Sequence, residues 1–258
     1  MIIYDVDDLG DALWHWVAPR HFRAMLRIAD TVTTCSLPLL QHLAKNYPTI
    51  TVANIPNAID YFPSGPARRP LPSNTQLRLV WFGNSSNFWM IEKYIPALLA
   101  IPESELWIIS NLDELGGRTK THPGVRFLAW SLGDFVSMLQ QCDVAVLTHD
   151  GNKEALTKGN NRMTTAITWG LPVVASRTPE YERTADESGT SRWLFSNPRE
   201  LVEAIEHLRN EKVRTDYLDV AQPAIWRRYA PPVIATSLAN LAFGLRAHKC
   251  SGSCGVKS

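Results

Sequence analysis

The sequence predicts an α/β fold, a parallel sheet with helices on both faces, preceded by a smaller partial α/β segment. Three observations predict it. Five short runs, LRLVWF (77–82), ELWII (105–109), VRFLAW (125–130), DVAVLTH (143–149) and LPVVAS (171–176), are apolar almost without interruption, as strands buried on both faces are. Longer stretches of helical periodicity separate them. Their alternation is the pattern of βαβ units, whose crossovers run neighbouring strands parallel.

Taken in order, residues 1–62 contain three strand-like runs, IIYD, TVTTC and ITVAN, with helical segments near 20–29 and 37–45. This piece is too small for a full doubly wound domain and reads as the remnant of an N-terminal one. Residues 63–76 are rich in Pro and polar residues, lack periodicity and read as a linker. The main domain, 77–230, is expected to carry helices at about 88–100, 131–141, 160–169 and 197–210. Asn197-Pro198 ahead of RELVEAIEHL supplies an N-cap followed by proline at the first helical position. A last helical set, 213–246, breaks at Pro231-Pro232, so 231–258 is a closing helix and a flexible tail.

Composition narrows the function classes. With 45% hydrophobic and 20% charged residues, the 258-residue chain has the balance of a soluble globular protein. A net charge of +1 and the lack of Lys/Arg runs argue against nucleic acid. No signal-like N-terminus and no stretch long and apolar enough to span a bilayer is present. Four scattered cysteines suit a reducing compartment, and a cytoplasmic location is expected. Cys250 and Cys254, in the Gly/Ser-containing tail KCSGSCGVKS, lack the further ligands a metal site needs.

Two turns carry the chemistry. After the first strand of the main domain comes Gly83-Asn84-Ser85-Ser86 at the start of a helix. Glycine lets the backbone approach a ligand, and free amides with small hydroxyls can cradle a phosphate. A plain strand-to-helix turn fits the same residues, since no G-x-G-x-x-G is present. The second turn, Lys158-Gly159-Asn160-Asn161-Arg162, brackets a helix start with two cations, a ready anion site. Both turns lie at strand carboxyl ends, where open parallel sheets bind ligands. His149-Asp150 lies on the same rim and can contact a sugar or brace the loops. Asp5-Val6-Asp7-Asp8 could hold a divalent cation, but a loop at a sheet edge is preferred and no metal site is expected. The nine tryptophans lie mostly within apolar runs and read as core.

The order of these signals resembles the GT-B glycosyltransferases of the group that includes glycogen, sucrose-phosphate and lipopolysaccharide-core synthases. The resemblance rests on ADTVTTCSLPLLQHL (29–43), ITVANIPNAIDYF (50–62), LRLVWFGNSS (77–86), VRFLAW (125–130), CDVAVLTHD (142–150) and KGNNRMTTAITWGLPVVAS (158–176). It implies a Rossmann-like C-terminal domain that binds a nucleotide-diphosphate sugar as donor substrate, with no metal and no other cofactor. By position, Gly83, Asn84, Ser85 and Ser86 would approach the phosphates and Lys158 and Arg162 would neutralise them. His149, Asn160, Asn161 and Thr165 would complete the donor site. Many such enzymes carry two glutamates eight positions apart; the matching positions here are Thr157 and Thr165, with Glu154 the nearby carboxylate.

The resemblance also implies that the sequence begins near the last third of a first domain, with a separate N-terminal chain as one source of the rest. The expected activity is sugar transfer to a glycan, lipid or small-molecule acceptor. The alternative is an inactive nucleotide-sugar-binding or regulatory module.

Overall fold

The structure, a computed structural model, describes residues 1–8, 18–65, 67 and 76–252. The chain runs β1 (Ile3–Val6), α1 (Ala18–Ile28), β2 (Thr31–Thr34), α2 (Leu37–Asn46), β3 (Val52–Asn54), β4 (Leu77–Phe82), α3 (Trp89–Glu92), α4 (Ile95–Leu99), β5 (Ser104–Ser110), α5 (Leu112–Leu115) and β6 (Val125–Ala129). It continues α6 (Phe135–Leu139), β7 (Val144–Leu147), α7 (Lys153–Thr157), α8 (Asn161–Thr168), β8 (Val173–Ser176), α9 (Pro179–Glu187), β9 (Leu194–Phe195), α10 (Pro198–Leu208), α11 (Glu211–Tyr229) and α12 (Pro231–Gly252).

Two compact units divide these elements: Met1–Ala58 with Asn152–Asn160 and Arg228–Ser258, and Ile59–Gly151 with Asn161–Arg227. The expected divisions were 1–62, a linker at 63–76, 77–230 and 231–258; the units divide the chain at Ala58/Ile59 and Arg227/Arg228 and group the C-terminal segment with the first unit. The assignment of 152–160 to the first unit was not visible in the sequence.

In the first unit β1, β2 and β3 form a parallel sheet in that order. Val6, Phe22, Leu26, Val32, Leu39 and Leu43 make its core. Ser36 caps α2 by accepting the Leu39 amide at 3.1 Å, and its hydroxyl donates to the Thr157 carbonyl at 2.5 Å. Gly159 packs on Cys35 so closely that a Cβ there would stand 3.2 Å from Sγ. These contacts explain why a segment distant in sequence joins this unit.

The second unit is built on six parallel strands in the order β6-β5-β4-β7-β8-β9. The chain grows outward from β4 to β6, then returns to place β7 on the other side of β4. The four residues of β7 and of β8 are all buried, whereas the edge strand β6 is half-exposed, which is why the apolar runs were most continuous at the centre. Asp143, buried just before β7, holds the β4–β7 pair in register. Its Oδ2 accepts the Arg78 amide at 2.7 Å, and its Oδ1 lies 3.5 Å from the Arg214 guanidinium.

The helices differ from expectation in detail. The stretch 88–100 is two short helices, α3 and α4, and 131–141 contracts to α6. The chain does break before Pro231, between α11 and α12. Helix α9 and the two-residue β9 were not anticipated; the polar sequence of α9 gives little apolar periodicity, yet Thr178 caps it and Pro179 opens it. α12 runs to Gly252, so the tail expected to be flexible begins as helix through Cys250; Cys254 lies outside the described residues. Much of the expected linker, 66 and 68–75, lies outside them as well.

Asp143→Ala removes the acceptor of a strand amide and leaves Arg214 beside a buried gap. It is expected to cost about 2–4 kcal/mol of folding stability, read from the denaturant midpoint. An unchanged midpoint would deny Asp143 its part in registering β7.

Candidate functional site

The strand order reverses between β4 and β7, and in open parallel sheets the crevice at such a reversal is where ligands bind. Val80 pairs with Ala145, and continuing that register sets Gly83 level with Thr148. The residues that leave the two strands at this point, Gly83-Asn84 and Thr148-His149, therefore frame the crevice. Arg162, in the first turn of α8, reaches the same place.

The turn after β4 is tightly made. The Gly83 amide bonds the Ile109 carbonyl at 3.2 Å, and its own carbonyl accepts the Ser110 hydroxyl at 2.8 Å. A Cβ on Gly83 would stand 3.1 Å from the Trp81 ring and 3.2 Å from Arg162 Nη1, so glycine is what lets the guanidinium lie against the backbone. Asn84 caps the 3-10 turn Ser85–Asn87 by accepting the Ser86 amide at 2.9 Å. Among the described residues, no hydrogen bond occupies the amides of Asn84 and Ser85, as expected of the first donors of a helical turn. The buried Ser85 hydroxyl donates to the Glu114 carboxylate. That hydroxyl, assigned to phosphate from the sequence, is thus committed elsewhere, and Glu114 is a participant the sequence did not reveal.

Arg162 is half-buried. Its Nη1 donates to the Phe82 carbonyl at 3.3 Å, its Nη2 lies 2.7 Å from His149 Nε2, and its guanidinium stands 6.0 Å from the Trp81 ring centroid. Among the described residues no carboxylate pairs with it. His149 is buried; its amide donates to Ser176 Oγ at 2.6 Å, and its ring lies 5.2 Å from that of Tyr181. Asn161 accepts the Arg162 amide at 3.0 Å. Thr165 sits in the buried part of α8, its hydroxyl without a hydrogen-bond partner among the described residues. The helix is stopped by Gly170 at φ +85°, with the Leu171 amide on the Ala166 carbonyl and the Gly170 amide on that of Ile167, the double bond of a Schellman motif.

The remaining candidates belong to the first unit. Lys158 pairs with Asp8 at 3.1 Å, and Asn160 is wholly buried. Thr157, one of the two positions the resemblance matches to glutamate, is buried, with its carbonyl on Ser36. In the acidic run, Asp5 accepts the Thr33 hydroxyl at 2.5 Å. Burial raises the Asp7 carboxyl above its ordinary range, Asn57 opposes this by hydrogen bonding, and Asp5 and Asp8 add to it. Among the described residues no three His, Cys, Asp or Glu side chains gather as metal ligands would. No helix among them is long and apolar enough to cross a membrane.

The family described as glycosyl transferases group 1 matches residues 77–211, more than half of the chain. The chain belongs to this family. The match in this glycosyltransferase opens on β4 and closes at the first residue of α11, so it spans the six-stranded sheet and the whole Gly83–His149–Arg162 cluster.

No curated protein matches the sequence. Solved structures share its fold at low identity. Sucrose-phosphate synthase from Thermosynechococcus elongatus is 14% identical with a TM-score of 0.69, covering 95% of this chain and 68% of its own. HepE from Anabaena, in complex with UDP and glucose, is 17% identical with a TM-score of 0.70, covering 93% and 70%. The lipopolysaccharide outer core galactosyltransferase WaaB is 12% identical with a TM-score of 0.61, covering 92% and 66%. The chain accordingly spans between about half and seven tenths of the length of such structures. All are GT-B glycosyltransferases, with the α/β Rossmann-like layers seen here.

In this glycosyltransferase the Gly83 turn has no room for a branched side chain. Gly83→Ala is expected to cost about 1 kcal/mol and Gly83→Val about 2–3 kcal/mol in a denaturation series, because the Trp81 ring is buried and cannot retreat. A valine variant as stable as the parent would contradict the close approach of Arg162 to the backbone.

Proposed function

We propose that the protein binds a nucleoside diphosphate sugar at the carboxyl ends of β4 and β7, and that it transfers the sugar to a glycan, lipid or small-molecule acceptor without a metal ion. One observation carries this reading: Arg162 holds a half-buried positive charge at the strand-order reversal with no carboxylate partner among the described residues. A cation so placed is matched by an anionic ligand, and its planar fork suits phosphate oxygens. The Asn84 and Ser85 amides at the neighbouring turn offer the further donors that a pyrophosphate needs.

The chemistry follows from where charge develops. When the bond between the sugar and the diphosphate breaks, negative charge grows on the departing phosphate oxygen. Fixed donors aimed at that oxygen lower the barrier without reorganising. Arg162 is held at the rim by the Phe82 carbonyl and beside the Trp81 ring, so its charge stands at the turn before substrate arrives, with Nη2, resting on His149, as the donor that changes partner. The family match and the UDP held by the structurally similar HepE support a nucleoside diphosphate as the ligand class.

Titration calorimetry tests the reading. Arg162→Ala is expected to weaken UDP by about 10- to 100-fold, the loss of one charge-assisted contact set, while uridine binding changes by less than about twofold. Equal losses for UDP and uridine, in a variant that melts as the parent does, would remove Arg162 from the phosphates.

A further inference from the structure

The contact between Arg162 and His149 fixes a protonation state. A guanidinium has donors and no lone pair to offer, so a separation of 2.7 Å between Nη2 and Nε2 requires that Nε2 be the acceptor. The imidazole is then neutral, with its proton on Nδ1. An imidazolium in the same position would set two positive groups in contact inside a buried pocket, where repulsion is far stronger than in water. In the arrangement seen, the crevice holds one positive charge although it contains two groups able to carry one.

The surroundings favour a change of state when an anion arrives. Facing His149 are Arg162 from α8, the Tyr181 ring from α9 and the Ser176 hydroxyl from the end of β8, with Asp150 next on its own loop. The acidic groups in the first turn of α9, Glu180 and Glu182, are paired with Arg183 and Arg177. Among the described residues the cation placed in contact with the ring is Arg162, the same group offered to the phosphates. A phosphate that draws Nη2 away leaves the Nε2 lone pair beside a negative charge, and a nearby negative charge favours the protonated imidazole.

We infer that binding of a nucleoside diphosphate is coupled to uptake of one proton by His149. Arg162 turns from His149 Nε2 to a phosphate oxygen, and Nε2 takes a proton from the buffer acid, so that the ring becomes a second donor toward the anion. One N–H bond forms on the ring and one bond to hydrogen breaks in the buffer acid; nothing is oxidised or reduced. The coupling rests on the nucleoside diphosphate reading and deepens it: the site would carry one positive charge when empty and two when filled. Affinity for UDP would then fall as pH rises through the range where histidine ordinarily titrates, about 6 to 7.

Calorimetry of UDP binding near pH 7, in two buffers of different ionisation enthalpy, gives the number of protons taken up per UDP. The same titration on His149→Gln, which keeps an oxygen acceptor for Arg162 but cannot take up a proton there, removes the part due to ionisation of UDP itself. The parent chain is expected to take up about half to one proton more than the variant. Equal proton numbers in the two chains would overturn the coupling and leave the binding reading intact, whereas absence of any UDP binding to the parent would overturn both. Should His149→Gln not fold, the imidazole ¹⁵N shifts of the parent decide. Nε2 moving from an unprotonated to a protonated shift on UDP addition supports the coupling, and an unprotonated Nε2 in the complex overturns it.

Discussion

A guanidinium half withdrawn from water must find acceptors for its donors, and the partners of Arg162 among the described residues are a backbone carbonyl and a neutral imidazole. Neither cancels its charge. The rest of the crevice follows from keeping that charge in place: glycine at position 83 because a side chain would meet the guanidinium, the buried Trp81 ring at its side, and an unprotonated Nε2 on His149. Arg162 has no carboxylate partner among the described residues, and on the proposed reading its charge is what a diphosphate leaving group would meet.

The scaffold supplies the precision. Reversal of strand order between β4 and β7 brings to one rim the ends of two central strands, β7 buried throughout and β4 buried except at Arg78. Asp143 locks their register at the opposite end, and the glycine stop at the end of α8 fixes how that helix hands over to β8. Arg162, in the first turn of α8, is therefore positioned by the Gly83 turn, the Trp81 ring and His149, as electrostatic stabilisation of a developing charge would require. Variation in donor or acceptor can then be left to the loops that leave this rim.

Much of this was legible in the sequence, for physical reasons that also set the limit. The central strands stood out because burial on both faces leaves no polar alternation; Gly83 and His149 drew notice because they follow such runs directly, and Arg162 because it and Lys158 bracket a helix start. The pairing of Arg162 with His149 was not, since thirteen residues separate them and neither spacing nor periodicity signals a contact across a crevice. Ser85 looked available for phosphate because its partner Glu114 lies in α5, twenty-nine residues on. The Ser36–Thr157 bond, spanning 121 residues, is of the same kind. It explains why residues 152–160 group with the first unit although they sit within the sequence of the second. The polar helix α9 and the two-residue β9 were missed because neither presents enough apolar residues to show a period.

A crystal structure of the chain with UDP addresses the central claim directly. The pyrophosphate is expected over the Gly83 turn, with oxygens in hydrogen-bond reach of the Arg162 guanidinium and of the Asn84 or Ser85 amide. A pyrophosphate bound away from the β4–β7 reversal, with Arg162 still resting on His149 and the Phe82 carbonyl, would contradict the assignment of this crevice as the donor site.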